Sequence, residues 1–285
     1  MSTATRQHIE QTSAASGDSA TTYEALPTVD LLGVTLHAIR EQQAIDVVIG
    51  SLSHGRGGWV VTPNLDILRR CVHDRAFHEL IAGADLVLAD GMPLVWASRL
   101  QGTPLPERVA GSSLITPLTG AAASAGRRVF LLGGAPGTAD GAAAVLRQRF
   151  PDLGVAGTYC PPIGFEHDEQ QWEMMTKILV ESRPDIVYVA LGSPKQEQVA
   201  VQLRKHLPDA WWLGIGISFS FLTGDVRRAP KWMQRLGLEW VHRLWQEPGR
   251  LARRYLIDGI PFAGRLFGSS LVRRFRSSTG NRAAA

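Results

Sequence analysis

The segment PDIVYVALGSPKQEQVAVQLRKHL, residues 184–207, contains one complete strand-to-helix unit. DIVYVALG (185–192) is apolar almost throughout rather than alternating, the pattern of a strand covered on both faces in a parallel sheet. Ser193-Pro194 marks a turn, and proline at a helix start presets the backbone for PKQEQVAVQLRKHL. The same grammar recurs along the chain. IDVVIG (45–50), GWVV (58–61), DLVLA (85–89), RVFLLG (128–133), LGVAG (153–157) and AWWLGIGI (210–217) read as further strands. TADGAAAVLRQRF (138–150), with Thr138 as its cap, and DEQQWEMMTKILVES (168–182), capped by Asp168, read as helices. This alternation predicts an α/β fold: a Rossmann-like layered sheet, mostly parallel, with a helical C-terminal appendage.

Charge divides the chain of 285 residues unevenly. Residues 227–285 hold 13 Lys/Arg and three acids, a net of +10, although the whole chain is only +4. Residues 1–24 are small and polar without an apolar run and read as a disordered leader. Residues 25–226 form the α/β body, 227–262 a basic amphipathic helical appendage, and 263–285 a frayed basic tail. The strand-like runs all precede residue 227, so the body is expected to keep its sheet without the appendage. Trp232, Leu236, Trp240 and Leu244 recur every four residues among arginines, predicting one broad apolar stripe that faces either the body or a lipid surface. Two cysteines, Cys71 and Cys160, make neither a disulfide framework nor a zinc cluster. No stretch of eighteen residues is apolar without charge, which argues against a spanning helix.

In an open α/β sheet, ligands gather at the carboxyl ends of the strands. Here those ends carry Thr62-Pro63-Asn64, Asp90-Gly91, Gly133-Gly134 and Lys195-Gln196-Glu197. Asp90, between an apolar strand and a glycine, is a candidate general base or metal ligand; a turn cap is the competing reading. Arg99 and Arg108 follow closely, and either guanidinium suits phosphate oxygens; a solvated face is the alternative. GGAPGT (133–138) offers backbone N–H groups to a phosphate, or is simply a tight turn before a helix. It matches neither common nucleotide fingerprint, and no acid ends the next strand, which counts against a nicotinamide oxidoreductase. Lys195, Gln196 and Glu197 offer a cation, an amide and an acceptor to a nucleotide or sugar. A lysine at a helix start is electrostatically misplaced unless an anion is near. No DxD, GxSxG or His pair is present, so no metal and no cofactor are expected.

These pieces resemble the bacterial WecG/TagA/CpsF glycosyltransferases, glycosyltransferase family 26. The matching segments are TPNLDIL (62–68), ADGMPLVWASRLQGTPLPERVAGSSL (89–114), FLLGGAPG (130–137), PDIVYVALGSPKQE (184–197), GIGISFSFLTG (214–224) and RRAPKWMQRLGLEWVHRLWQEPGRLARRYL (227–256). They span most of residues 30–256 in the family's order. The resemblance implies an inverting transferase moving N-acetylmannosamine, its uronic acid or glucose from a UDP-sugar to a polyprenyl-diphosphate-linked saccharide. The product would serve cell-envelope or exopolysaccharide synthesis.

The same resemblance assigns Asp90 as the base and Arg108, the arginine of the PERxxG segment, as a second catalytic residue. It places Thr62, Asn64, Gly133, Gly134, Lys195, Gln196 and Glu197 at the UDP-sugar, and Arg228, Arg250 and Arg253 at the acceptor diphosphate or membrane. Many members carry Asp where Ser220 follows Phe219 here. The implied setting is peripheral, on the cytoplasmic side of the bacterial inner membrane, at an anionic surface; a homo-oligomer is compatible with it. The rival class is a basic membrane-surface or nucleic-acid-binding module without catalysis. No finger, RRM or helix-turn-helix pattern supports nucleic acid, despite an isoelectric point near 9.4.

Overall fold

The computed structural model describes the backbone of residues 26–282, and the side chains of 26–276 apart from Arg235 and Arg250. The expected leader, 1–24, lies outside the described residues. The chain opens with a hairpin, β1 (Thr28–Leu31) and β2 (Val34–His37), paired antiparallel with Leu31 opposite Val34. Its two-residue turn needs positive φ at both positions, which Leu32 (φ 54°) and Gly33 (φ 89°) supply. Sequence reading misses this hairpin because leucine stands where Asn or Asp usually signals such a turn.

Helix α1 (Glu41–Ser53) contains the segment IDVVIG, which was expected to be a strand. The correction has a simple cause. Ala44, Ile45, Val48 and Leu52 fall on one helical face and are buried, while the β-branched run imitates a strand. Then follow β3 (Gly58–Val61), α2 (Leu65–His73), α3 (Arg75–Ala82), β4 (Leu86–Val87), α4 (Met92–Gln101) and α5 (Gly111–Ser124). Next come β5 (Arg128–Gly133), α6 (Thr138–Arg149), β6 (Gly154–Tyr159), α7 (Glu169–Ser182), β7 (Ile186–Ala190), α8 (Lys195–Leu203), β8 (Trp211–Gly214) and α9 (Ser218–Thr223). Asp168 caps α7 as expected, accepting from the Gln170 and Gln171 amides. Thr138 does not cap α6; Gly137, in a left-handed conformation, precedes it, and Thr138 is the first helical residue, buried.

The six strands order as β4-β3-β8-β7-β5-β6, every pair parallel. Alternate side chains enter two cores. Trp59, Val61, Phe130, Leu132, Val187, Val189 and Trp212 face one, against α2, α3, α7, α8 and the hairpin. Val60, Val129, Leu131, Ile186, Tyr188, Trp211 and Leu213 face the other, against α1, α5 and α6. Burial on both faces explains why the strands are apolar throughout. Parallel pairing puts all their carboxyl ends on one edge.

The remaining chain is helical: α10 (Lys231–Arg235), α11 (Glu239–Gln246), α12 (Pro248–Ala252), a π-helical stretch Arg253–Gly259, and α13 (Ile260–Arg282). The expected single stripe is broken at Gly237, whose φ is +68°. A side chain there would meet Met92 Cβ at 2.6 Å, so this glycine lets the appendage backbone press onto the start of α4. The π-helical stretch is tied to α2: Arg254 pairs with Asp66 at 3.1 Å and Asp258 with Arg69 at 3.9 Å.

The expected frayed tail is corrected. Residues 260–282 form a helix packed on α4. Phe262, Leu266 and Ser270, spaced four apart, are buried along one seam, and Arg273 pairs with Asp30 of the hairpin. Two glycines and a high arginine content hide this seam in the sequence. Phe262 and Leu266 belong to the same core as Trp59 and Trp212. The body therefore draws part of its cover from beyond residue 226.

Candidate active site

Two strand ends lie side by side. The Asp90 amide donates to the Pro63 carbonyl at 2.8 Å, joining the turn after β4 to the turn after β3. Gly91, at φ 145°, sits against Asn64. Asn64 caps α2, its Oδ1 accepting from the Asp66 and Ile67 amides at 3.0 Å each, so that oxygen is committed to the fold. The Val109 amide donates to the Ala89 carbonyl at 2.9 Å and thereby brings Arg108 alongside Asp90. Arg99, in the last turn of α4, is exposed and about 10 Å along the helix axis from Met92 at the usual rise per residue.

Asp90 lies 3.7 Å from Arg108 Nη1. The same Nη1 donates to Glu239 Oε2 at 2.9 Å, and Glu239 Oε1 lies 3.4 Å from Arg228 Nε. Arg228 is further anchored at the start of α5, donating to the Ser112 carbonyl (3.1 Å), Ser112 Oγ (3.1 Å) and Ser113 Oγ (2.8 Å). Arg243, one turn after Glu239 on α11, also bears on Asp90 electrostatically. Asp90 keeps 27% of its side-chain exposure, yet protein crowds the carboxylate on most sides. Loss of water raises its pKa to about 6; Glu239 adds to the rise, while Arg108, Arg228 and Arg243 oppose it. The result is a carboxylate of useful basicity among guanidinium groups, able to take a proton while the cations hold developing negative charge.

A second cluster lies beside it. Thr62, Gln196, Glu197 and Gly214 line one narrow gap at the ends of β3 and β8. Gln196 Oε1 accepts from the Gly216 amide at 3.1 Å, and its Nε2 donates to Glu197 Oε1 at 2.9 Å. Both side chains are buried, and burial raises the Glu197 pKa. They hold the strand-end loop rather than project into open space. Lys195 points elsewhere, pairing with Glu166, so the anion near this helix start is a protein carboxylate. Gly111 joins the clusters: a side chain there would meet the Gly214 carbonyl at 2.7 Å and Thr62 Oγ1 at 3.3 Å.

Gly133 and Gly134 form a tight turn. Both have positive φ, and a side chain at Gly133 would strike the Ala190 carbonyl at 2.7 Å. The Gly134 amide donates to that carbonyl at 2.8 Å and is not available to a phosphate. The Arg250 side chain lies outside the described ones. Arg253 is exposed at the start of the π-helical stretch. Among the described residues there is no group of three or more His, Cys, Asp or Glu placed to hold a metal ion. Sequence reasoning missed Glu239, Arg243, Ser112 and Ser113. The first two carried a signal, an acid and a base four apart on one face of a tryptophan-bearing helix.

The model of the glycosyl transferase WecG/TagA/CpsF family matches residues 29–276. The chain belongs to that family. It is 33% identical over 213 residues to an N-acetylglucosaminyldiphosphoundecaprenol N-acetyl-beta-D-mannosaminyltransferase of Bacillus subtilis (strain 168), covering 75% of this chain and 78% of the relative. A protein of the same name from Bacillus spizizenii (strain ATCC 23059 / NRRL B-14472 / W23) is 35% identical over 202 residues, 71% and 76% of the two chains. The matched span of the WecG/TagA/CpsF model includes the body and most of the helical extension, so the charged cluster around Asp90 draws on both parts of the family's chain. The protein is accordingly a glycosyltransferase, and the non-catalytic reading falls away.

Proposed function

We propose that this glycosyltransferase moves N-acetylmannosamine from a UDP-sugar to a polyprenyl-diphosphate-linked saccharide, with inversion at the anomeric carbon. The observation that carries the reading is Asp90 at its strand end, 3.7 Å from Arg108 and under the charge of Arg228 and Arg243. The names of the two Bacillus relatives supply the sugar and the acceptor class. The acceptor hydroxyl loses its proton to Asp90 as its oxygen bonds to the anomeric carbon. The bond from that carbon to the UDP oxygen breaks, and UDP departs with the electron pair. The guanidinium groups stabilise the charge gathered on the diphosphate. One displacement turns an α-linked donor into a β-linked product.

The setting is the surface of an anionic membrane, where such acceptors reside. No helix among the described residues is long and apolar enough to cross a membrane. Trp232 (59% exposed), Leu236, Val241, Trp245 (86%), Ile257 and Ile260 are exposed on the appendage among basic side chains. Apolar insertion combined with about 1 kcal/mol per well-placed cation suits reversible, salt-sensitive attachment. Incubation with UDP-N-acetylmannosamine and a defined polyprenyl-diphosphate N-acetylglucosamine, read by mass spectrometry and UDP release, should yield the disaccharide lipid. Transfer of glucose or the uronic acid instead corrects the sugar; no transfer from any UDP-sugar overturns the reading.

A further inference from the structure

Glu239 has no part in the proton transfer just described, yet it sits among the groups that do. Its carboxylate is only 16% exposed and holds Arg108 on one oxygen and faces Arg228 with the other. The two carboxylates compete for one guanidinium. Arg108 Nη1 is 2.9 Å from Glu239 Oε2 but 3.7 Å from Asp90 Oδ1, a hydrogen bond on one side and a looser approach on the other. Arg228 does not depend on Glu239 for its place, because Ser112 and Ser113 hold it. Among the described residues, Arg108 donates a side-chain hydrogen bond to Glu239 alone. Released by Glu239, its nearest anion is Asp90.

We propose that Glu239 is a positioning residue of the transfer reaction, holding Arg108 back from Asp90 so that the Asp90 carboxylate stays free to accept a proton. This rests on the reading of Asp90 as the base. The charged groups facing Asp90 come from three segments: Arg108 ahead of α5, Arg228 ahead of α10, and Glu239 with Arg243 on α11. Because α11 also carries the exposed Val241 and Trp245, the residue that keeps the base free belongs to the helix proposed to meet the membrane.

The test is the pH dependence of kcat/KM in E239Q, which keeps shape and removes charge. Arg108 then closes on Asp90 and a repelling carboxylate disappears; both stabilise the Asp90 anion. The acid limb of the profile should move down by about one pH unit. The plateau should fall as well, because a less basic carboxylate is a poorer acceptor. E239D, which restores the charge at shorter reach, should move the limb less. A carboxylate that merely anchors α11 predicts otherwise: E239Q loses rate equally at every pH and the limb stays in place, which overturns the proposal. If E239Q does not fold, E239A, which also removes the charge, takes its place, and an unmoved limb in that variant is equally fatal. D90N run in parallel separates the two ideas. Substantial activity in D90N defeats the base assignment, whereas inactive D90N with an unmoved limb in E239Q defeats only the role of Glu239.

Discussion

The sheet and the appendage use tryptophan in opposite ways. Trp59, Trp211 and Trp212 are buried at 1% exposure or less between the sheet and its helices. Trp232 and Trp245, on α10 and α11, expose most of their surface. Burial in the first region stabilises the fold. Exposure in the second leaves apolar surface available to something outside the chain, beside a net charge of +10. The charged cluster lies where the regions meet: Asp90 and Arg108 come from the body, Arg228, Glu239 and Arg243 from the segment that follows it. On the reading proposed above, the element that meets the membrane also supplies charged residues beside Asp90, which links attachment to chemistry without a separate device.

The comparison can be broken first at the body's half of the crevice. D90N should lower kcat by about 10²–10⁴-fold while leaving UDP-sugar affinity near that of the wild type. Turnover near wild type shows that Asp90 is not the base. The same substitution has a stability signature. Burial raises the Asp90 pKa from the ordinary 3.8 to about 6, so the folded state prefers the neutral form. Its contribution to stability is full below pH 3.8 and is lost as pH rises through 6. D90N should therefore match the wild type in Tm near pH 4 and exceed it above pH 6; a D90N protein less stable at pH 8 contradicts this account.

The tryptophans give the next contrast. Trp212→Ala should cost about 3–5 kcal/mol of stability, as for other buried aromatic truncations. Trp245→Ala should change stability by no more than about 0.5 kcal/mol, yet weaken co-sedimentation with anionic vesicles at low and high salt. A large loss of stability in Trp245→Ala would mean that the ring packs on protein. A smaller effect tests where the appendage ends and the body resumes. Leu266→Ala on α13 should cost about 2–4 kcal/mol, while Leu236→Ala on the link after α10 is nearly silent in urea denaturation. Equal costs would erase the distinction drawn between α13 and the helices before it. The smallest expected effect is that of a chelator. With three guanidinium groups around Asp90, EDTA should leave the initial rate nearly unchanged; a large loss restored by Mg²⁺ would assign that charge to an ion.

Local pattern made β3, β5, β7 and β8 readable, because a strand covered on both faces is apolar from end to end. The same rule failed at α1, where Ile45, Val47, Val48 and Ile49 satisfy a strand and a helix equally, and only packing against α5 decides. Asp90 was readable from its place between a strand and a glycine, and Arg108 from its short distance in sequence. The phosphate role suggested for Gly134 was not decidable from sequence, since its amide is used by a carbonyl on β7. Lys195 likewise meets Glu166, and nothing in PKQE announces that partner.

Sequence alone determined the alternation of strands and helices, the segregation of basic charge and the family motifs. These are properties of periodicity, composition and short spacing, all of which act within a few residues. Tertiary structure alone decided which charges meet. Arg108 and Glu239 are separated by 131 positions, and their 2.9 Å contact exists because Gly237 lets the appendage approach α4 closely. It also decided that α13 returns to bury Phe262 and Leu266 while the tryptophans before it stay outside. Apolar residues in both segments have similar spacing. What separates them is whether a complementary surface of the body lies within reach, and only the folded chain supplies that surface.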